Sequence, residues 1–339
     1  MTLRTGIGQA RQARSMNPLL SSLAPIWNDP TAVFLDVSRI QALAEQLSSE
    51  ELPVPSWREP VFPKEDSETF IDFIGVGNAI NFAFTAFDTY ESFSAAYGGM
   101  NWRGAFAMWA CLARALEKRP GMLRGAYLAE LSLSDVEEIF AGTTQIPLVE
   151  ARWRILKEIG VVLEEHFGGY FHNLFQVAGF SAFGGNGVAD KLLEHFPSFR
   201  DDSVHRESGT ILRFAKRAQL MAMMYQGRAL SSDKLPRLSD ALDLGPIADY
   251  SVPRSLHSLG ILTYATDLEE KVRSRQPIEK DSLEEQEIRA QTVHAQVLLL
   301  REMQEKHKCT VSTLSLDYKL WMLGRKAAEP HHLTNTTAY

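Results

Sequence analysis

Three short stretches of this chain carry residues that could do chemistry. The first is Gly245-Pro-Ile-Ala-Asp-Tyr-Ser-Val-Pro-Arg254. Pro253 restricts Val252 to extended geometry and suits the first turn of a short helix running through Leu256 and Leu259 to Gly260. Asp249 therefore stands in a constrained turn just ahead of a helix, where a carboxylate either caps the helix or points into a cleft. The second is Leu316-Asp317-Tyr318-Lys319-Leu320-Trp321, which sets Asp317 inside an aromatic, apolar run. An acid among such neighbours needs a partner or a task. The third is Arg213, Lys216 and Arg217, spaced i, i+3 and i+4, so that on a helix they share one face. Such a face either lies in water or holds a phosphate.

Other short motifs are weaker. Gly75-Val-Gly77 lacks the third glycine and the following helix of a dinucleotide site and reads as a turn. Gly184-Gly185-Asn186-Gly187 has no Lys-Ser/Thr after it and reads as a flexible connection. The nine histidines form no metal-binding spacing, and the adjacent His331 and His332 read as a surface pair, so neither a metal nor a cofactor is expected. No Gly-x-Ser-x-Gly elbow occurs.

Helices must carry these residues. Val37, Ile40, Leu43 and Leu47 line one face of a helix over 36–47. Leu52 to Pro63 holds four prolines and is expected to cross the surface as a loop. Ile80, Phe82 and Phe84 alternate with Asn81, Ala83 and Thr85, the period of a half-buried strand, and Phe70–Ile74 is expected to pair with it across Gly75 and Gly77. From residue 100 onward helix signals dominate. Ser134–Glu137, Thr266–Glu269 and Ser282–Glu285 read as capping boxes, the last opening a long helix to about residue 306. Pro147 suits a first helical turn, Gly168-Gly169 suits that helix's end, and Pro197 ends the next. The expected fold is mostly α with a small antiparallel β element.

A chain of 339 residues with 45% hydrophobic and 23% charged residues is an ordinary globular protein, and its apolar runs are too short to span a bilayer. A net charge of −7 argues against a stable nucleic-acid complex. Two cysteines, Cys111 and Cys309, are too few for a disulfide framework and fit a reducing compartment, so the cytoplasm is expected. Arg4, Arg11 and Arg14 precede the first acid, Asp29. That composition also fits a mitochondrial targeting segment, and residues 1–30 are expected to be a flexible or targeting N-terminus ahead of a single domain over 31–339.

In order along the chain, Asn81-Phe82-x-Phe84, Pro147-Leu-Val-Glu-x-Arg152, Leu156-x-Glu158-x-Gly160, Phe167-Gly-Gly169, Phe196-Pro-Ser-Phe-Arg-Asp201, Lys216-Arg-Ala-Gln219, Ala248-Asp-Tyr-x-Val-Pro253, Glu287-Ile-Arg289, Leu316-Asp-Tyr-x-Leu-Trp321 and His332-x-Thr334 with Tyr339 resemble the queuosine salvage family, the queuosine 5′-phosphate N-glycosylases. The resemblance covers about residues 30 to 339. It implies a helical fold similar to helix-hairpin-helix DNA glycosylases. It also implies hydrolysis of the N-glycosidic bond of a free nucleotide to release queuine, a 7-deazaguanine with a cyclopentenediol arm, for salvage into tRNA; a monomer fits that reading. On the same resemblance Asp249 is catalytic, Asp317 and Tyr318 line the base pocket, and Lys216 lies near the ribose or its phosphate. Ile247, Asn78 and Phe82 complete the implied binding set.

The residue types suit that chemistry. Breaking an N-glycosidic bond builds positive charge on the sugar, which a carboxylate beside the anomeric carbon stabilises while it attacks or activates water. A second acid can hold the amine of the base's side arm, and aromatic faces can sandwich the base. The chain departs from the family's usual pattern at Asn78, Thr85, Ile247, Ser251 and Met322, where aspartate, tryptophan, phenylalanine, arginine and aspartate are usual. Two other readings share the same residues. One is a nucleobase-binding relative without turnover. The other is a helix-hairpin-helix nucleic-acid glycosylase, which would need a basic surface around Val252–Gly260.

Overall fold

The computed structural model describes residues 17–339. Helices dominate, and three small antiparallel strand pairs stitch their ends: Val33–Leu35 with Leu262–Tyr264, Ser94–Tyr97 with Met100–Arg103, and Asp202–Val204 with Ile211–Arg213. Among the described residues, no helix is long and apolar enough to cross a membrane.

The largest core surrounds the helix Glu68–Ala79, in which every residue from Phe70 to Ala79 is buried. This replaces the expected Phe70–Ile74 strand. A segment apolar on all sides carries no period to separate strand from helix, and here the helix is enclosed on all faces. Gly75 and Gly77 are not turn residues. A Cβ on Gly75 would enter the Phe171 ring and one on Gly77 the Trp109 ring, so both glycines let neighbouring aromatic side chains approach the helix backbone.

After this helix the expected half-buried strand over Ile80–Phe84 does not form: all five residues are buried, Ile80 lies in a turn, Ala83 has a left-handed φ, and the nearest bridge, Thr85 with Ser92, lies just beyond them. Side-chain cations satisfy its carbonyls instead. Arg152, fully buried, donates to the carbonyls of Ile80, Phe82 (2.5 Å) and Ala83 (2.7 Å), and its guanidinium lies 4.2 Å from the Phe82 ring centroid. Lys216 Nζ donates to Asn81 O at 3.0 Å, and Arg217 donates to Ala79 O. The Ala83 amide donates to Tyr339 O at 3.0 Å.

A second core packs the long helix Leu283–Glu305 against Val37–Ser48 and Ser251–Ser258. Ser282 caps the long helix by accepting from the Glu285 amide, but the expected box is half formed, because the Glu285 carboxylate turns to Arg289 instead. The other two expected boxes shift. Ser132 with Asp135, not Ser134 with Glu137, forms the reciprocal cap, and Thr266 is the first residue of its helix rather than the cap. Pro147 lies ahead of the helix Val149–His166, whose end is turned by Gly168 and Gly169 in left-handed conformations.

Two expected solvent-facing stretches are packed. Leu20, Leu23 and Ile26 are buried against Leu212, Phe214 and Ala248, so residues 17–30 belong to the folded body; Arg4, Arg11 and Arg14 lie outside the described residues. The proline-rich loop buries Trp57, Val61 and Phe62, because buried Arg228 draws its carbonyls inward, donating to Ser56 O at 2.9 Å and to Trp57 O.

Candidate active site

Asp249 sits directly before the helix Ser251–Ser258 and does both things a carboxylate there can do. Its Oδ1 accepts the amides of Ser251 (2.7 Å) and Val252 (2.9 Å), capping the helix. The same side chain lines a cavity of about 390 Å3 between the helices and the proline-rich loop. The turn that carries it is fixed by three buried amide side chains. Asn17 Nδ2 donates to Gly245 O (2.9 Å), Gln219 Oε1 accepts from Gly245 N (3.1 Å), and Gln296 Nε2 donates to Ile247 O (2.9 Å). These amides come from three distant segments and carried no local signal in the sequence.

Asp317 reaches the same cavity from the helix Thr313–Lys326, whose start is fixed by a reciprocal Ser312–Ser315 cap. Gly324 lets that helix close on Ser251, since a Cβ there would strike the Ser251 carbonyl. Residues 317, 321 and 325 follow one another at helical spacing and all line the cavity. Tyr318 stacks with Trp321 at 5.8 Å, Trp57 meets Tyr318 edge-on at 5.6 Å, and Phe106 lies 5.9 Å from Trp321. The result is an aromatic wall suited to a planar heterocycle.

The two acids and Lys216 form one electrostatic unit. Asp249 is 8%, Asp317 7% and Lys216 4% exposed. Burial, aided by the charge of Asp249, pushes Asp317 up to about 8, while the Ile247 amide and Lys216 pull the other way. Burial also raises Asp249, but Lys216 and the two capping amides oppose it. Burial lowers Lys216 to about 8, with Asp249 the main opposing influence. Burial raises both acids; the charge of Asp249 raises Asp317 further, while Lys216 and two amides work on Asp249 in the opposite sense, so of the two Asp249 is the acid whose charge the site favours. Asp317 Oδ1 is buried without a hydrogen-bond partner among the described residues, so an acceptor is held ready in a dry place.

The remaining sequence candidates divide. Ile247, Tyr318 and Lys216 line the cavity with the two acids. Asn78 and Phe82 do not. Asn78 is buried against Ile74 O and Met224, and Phe82 lies beneath Arg152 and Arg217. Their neighbours Asn81 and Phe84 reach the wall instead. Of the departures, Thr85, Ile247 and Ser251 are wall residues, whereas Asn78 and Met322 are not.

The three basic residues do not share a helical face. Arg213 ends an exposed strand, Ala215 turns through a left-handed conformation, and only then does a helix begin at Lys216. Lys216 enters the cavity, while Arg217 is buried away from it on Ala79 O and Ser198 O. A different basic set, Arg103, Arg254, Arg275 and Arg325, lines the cavity's walls.

His331 and His332 are not a surface pair. The His331 Nδ1–H donates to His332 O at 2.7 Å, which leaves Nε2 to accept from the Thr85 hydroxyl at 3.0 Å. Its ring packs 4.5 Å from Tyr250, and burial lowers it to about 4. His332 is buried beside Tyr339. No cluster of three or more metal-ligating side chains occurs among the described residues.

Residues 61–339 match the family described as queuosine salvage protein. A protein of Sphaerobacter thermophilus named queuosine 5′-phosphate N-glycosylase/hydrolase is 34% identical over 95% of this chain and 97% of its own length. Proteins of the same name from Bos taurus and Mus musculus are 29% and 30% identical, covering 91% and 82% of this chain and 94% and 84% of their own lengths. With the match running through the Asp249 turn, the Asp317 helix and the Lys216 helix alike, this chain belongs to the queuosine salvage protein family.

Proposed function

We propose that this protein hydrolyses queuosine 5′-phosphate, breaking the bond between base nitrogen and ribose C1′ to give queuine and ribose 5-phosphate. The observation that carries the reading is the shared cavity in which Asp249, whose charge Lys216 and two amides favour, meets Asp317, which holds its proton up to about 8, beside an aromatic wall. As the C1′–N bond lengthens, the electron pair leaves with the base and the ribose becomes cationic. Asp249 stabilises that charge, and the water that adds to C1′ gives up one proton as the base nitrogen gains one. Tyr318 and Trp321 stack on the base, Ile247 packs beside it, and Asp317 holds the amine of its side arm. Asn78 and Phe82 act behind the wall, keeping Asn81 and Phe84 in place.

In this reading the fold is akin to that of helix-hairpin-helix DNA glycosylases, turned to a free nucleotide. The protein works as a cytoplasmic monomer without a stable nucleic-acid partner. Incubation with queuosine 5′-phosphate, followed by chromatographic detection of queuine, tests the proposal. Queuine release by the parent and its loss in Asp249→Asn is the expected result; no release by the parent protein rejects it.

A further inference from the structure

The cavity is electrically lopsided. At depth stand Asp249, Asp317 and Lys216, whose single positive charge already faces Asp249 and is bonded to the Asn81 carbonyl. At the solvent edge stand arginines with no ion pair among the described residues. Arg275 and Arg325 are exposed, form no side-chain hydrogen bond among the described residues, and rest on aromatic rings, Arg275 5.0 Å from the Tyr90 centroid and Arg325 4.9 Å from that of Trp321. Arg254 is fixed more firmly. Its Nε and Nη2 donate to the carbonyls of Glu329 and Ala327, leaving Nη1 without a partner among the described residues. The guanidiniums of Arg254 and Arg275 both act on His331, and those of Arg254 and Arg325 both act on Tyr250, so the three charges gather around one pair of packed, mutually tilted rings. Like charges gathered without an anion between them repel one another, and a bound dianion would relieve that cost.

We propose that Arg254, Arg275 and Arg325 form the seat of the substrate's 5′-phosphate, at the edge of the cavity and apart from Lys216. The proposal rests on the hydrolase reading above. A dianion placed beside Lys216 would face the Asp249 carboxylate, whereas at the arginine edge it meets three guanidiniums and ring edges, the acid nearest Arg254, Glu329, standing outside the cavity's lining. The backbone supplies the spacing. Asp249 precedes and Arg254 belongs to the first turn and a half of one helix, so the group acting at C1′ and a group able to hold the 5′-phosphate are set about one helical pitch apart by the same rigid element. The neutral His331 ring, with its Nδ1–H and Nε2 already committed, serves as a wall rather than as a further ligand.

The test uses Arg275→Gln, Arg325→Gln and the double variant, since neither side chain bonds to the fold and Arg254 does. The readout is the ratio of kcat/KM for queuosine 5′-phosphate to that for the unphosphorylated nucleoside. Each single substitution should lower the ratio by about tenfold, and the double variant further, as for loss of a charge-assisted contact made only by the phosphate. An unchanged ratio with cleavage intact overturns the seat and leaves the hydrolase reading standing. If the parent cleaves neither compound, the hydrolase reading falls, and titration with inorganic phosphate judges the seat alone. Phosphate binding by the parent that the double variant loses supports it; equal binding, or none to either, overturns it.

Discussion

Lys216 Nζ donates to the carbonyl of Asn81 at 3.0 Å, so one bond ties the cation that faces Asp249 to the segment Ile80–Phe84, which carries part of the cavity wall. Its amide accepts the same kind of anchorage, donating to Asp201 Oδ2 at 3.1 Å, and Asp201 is itself clasped by both terminal nitrogens of Arg289 at 2.8 and 2.6 Å. The ammonium is thereby held beside the carboxylate before any ligand arrives.

Replacing Lys216 by Met keeps most of the volume and removes that charge. Asp249 then loses the main influence holding its pKa down, and a larger fraction is protonated and idle near neutral pH. Turnover should fall by about tenfold or more on nucleotide and nucleoside alike, with the acid limb of the kcat profile moved to higher pH. A loss confined to the phosphorylated substrate would return the phosphate to Lys216.

Asp249→Asn keeps the size and one acceptor oxygen, so the amides of Ser251 and Val252 remain capped. Thermal stability should change little, while kcat drops by on the order of a hundredfold or more, as for removal of a key charge-stabilising group. Turnover at the parental rate would remove Asp249 from the chemistry.

The helical character was legible because amphipathic periods such as Val37, Ile40, Leu43 and Leu47 report burial on one side, and the structure has its helix at Val37–Ser48. Asp249 was legible because Pro253 constrains the backbone around it. What failed, failed for lack of local signal. Ile80–Phe84 forms no strand because its carbonyls are held by side chains, those of Arg152 and Lys216, which stand 72 and 135 residues away in the sequence from Ile80 and Asn81. Trp57 looked like part of a surface loop because prolines mark irregular backbone without saying which side of it is buried. Arg254, Arg275 and Arg325 come from three separate segments, so no spacing could join them. The i, i+3, i+4 spacing of Arg213, Lys216 and Arg217 misled because the left-handed Ala215 breaks the helix on which it depended.

Arg152→Met tests the cationic grip on the segment Ile80–Phe84. The substitution leaves the carbonyls of Pro147, Phe82 and Ala83 without their donor and that of Ile80 with the Phe82 amide alone, around a side chain with no solvent exposure. Removing a desolvated guanidinium returns some free energy, but the orphaned acceptors dominate, and a loss of about 3–5 kcal/mol is expected in urea unfolding. A loss below about 1 kcal/mol would mean that the segment is held by packing of Phe82 and Phe84 instead.

Asp317→Asn separates burial from binding through its pH dependence. In the folded protein Asp317 holds its proton up to about 8, whereas the unfolded chain releases it near the ordinary carboxylate value of 3.8. Between those values the folded state binds more protons than the unfolded one, so this group makes stability fall as pH rises, and the loss is complete above about 8. Asparagine does not titrate and removes the trend. The melting temperature of Asp317→Asn relative to the parent should therefore climb steadily from pH 5 to pH 8, measured in matched buffers without ligand. Queuine affinity should move the other way, weakening in the variant because Asp317 can give up its proton to become the carboxylate that holds the ligand's amine, which the amide of asparagine cannot do. Calorimetric titration at pH 7 reads that second effect. A pH-independent difference in melting temperature would show that Asp317 is ionised in the folded protein, and unchanged queuine affinity would take it out of the base pocket.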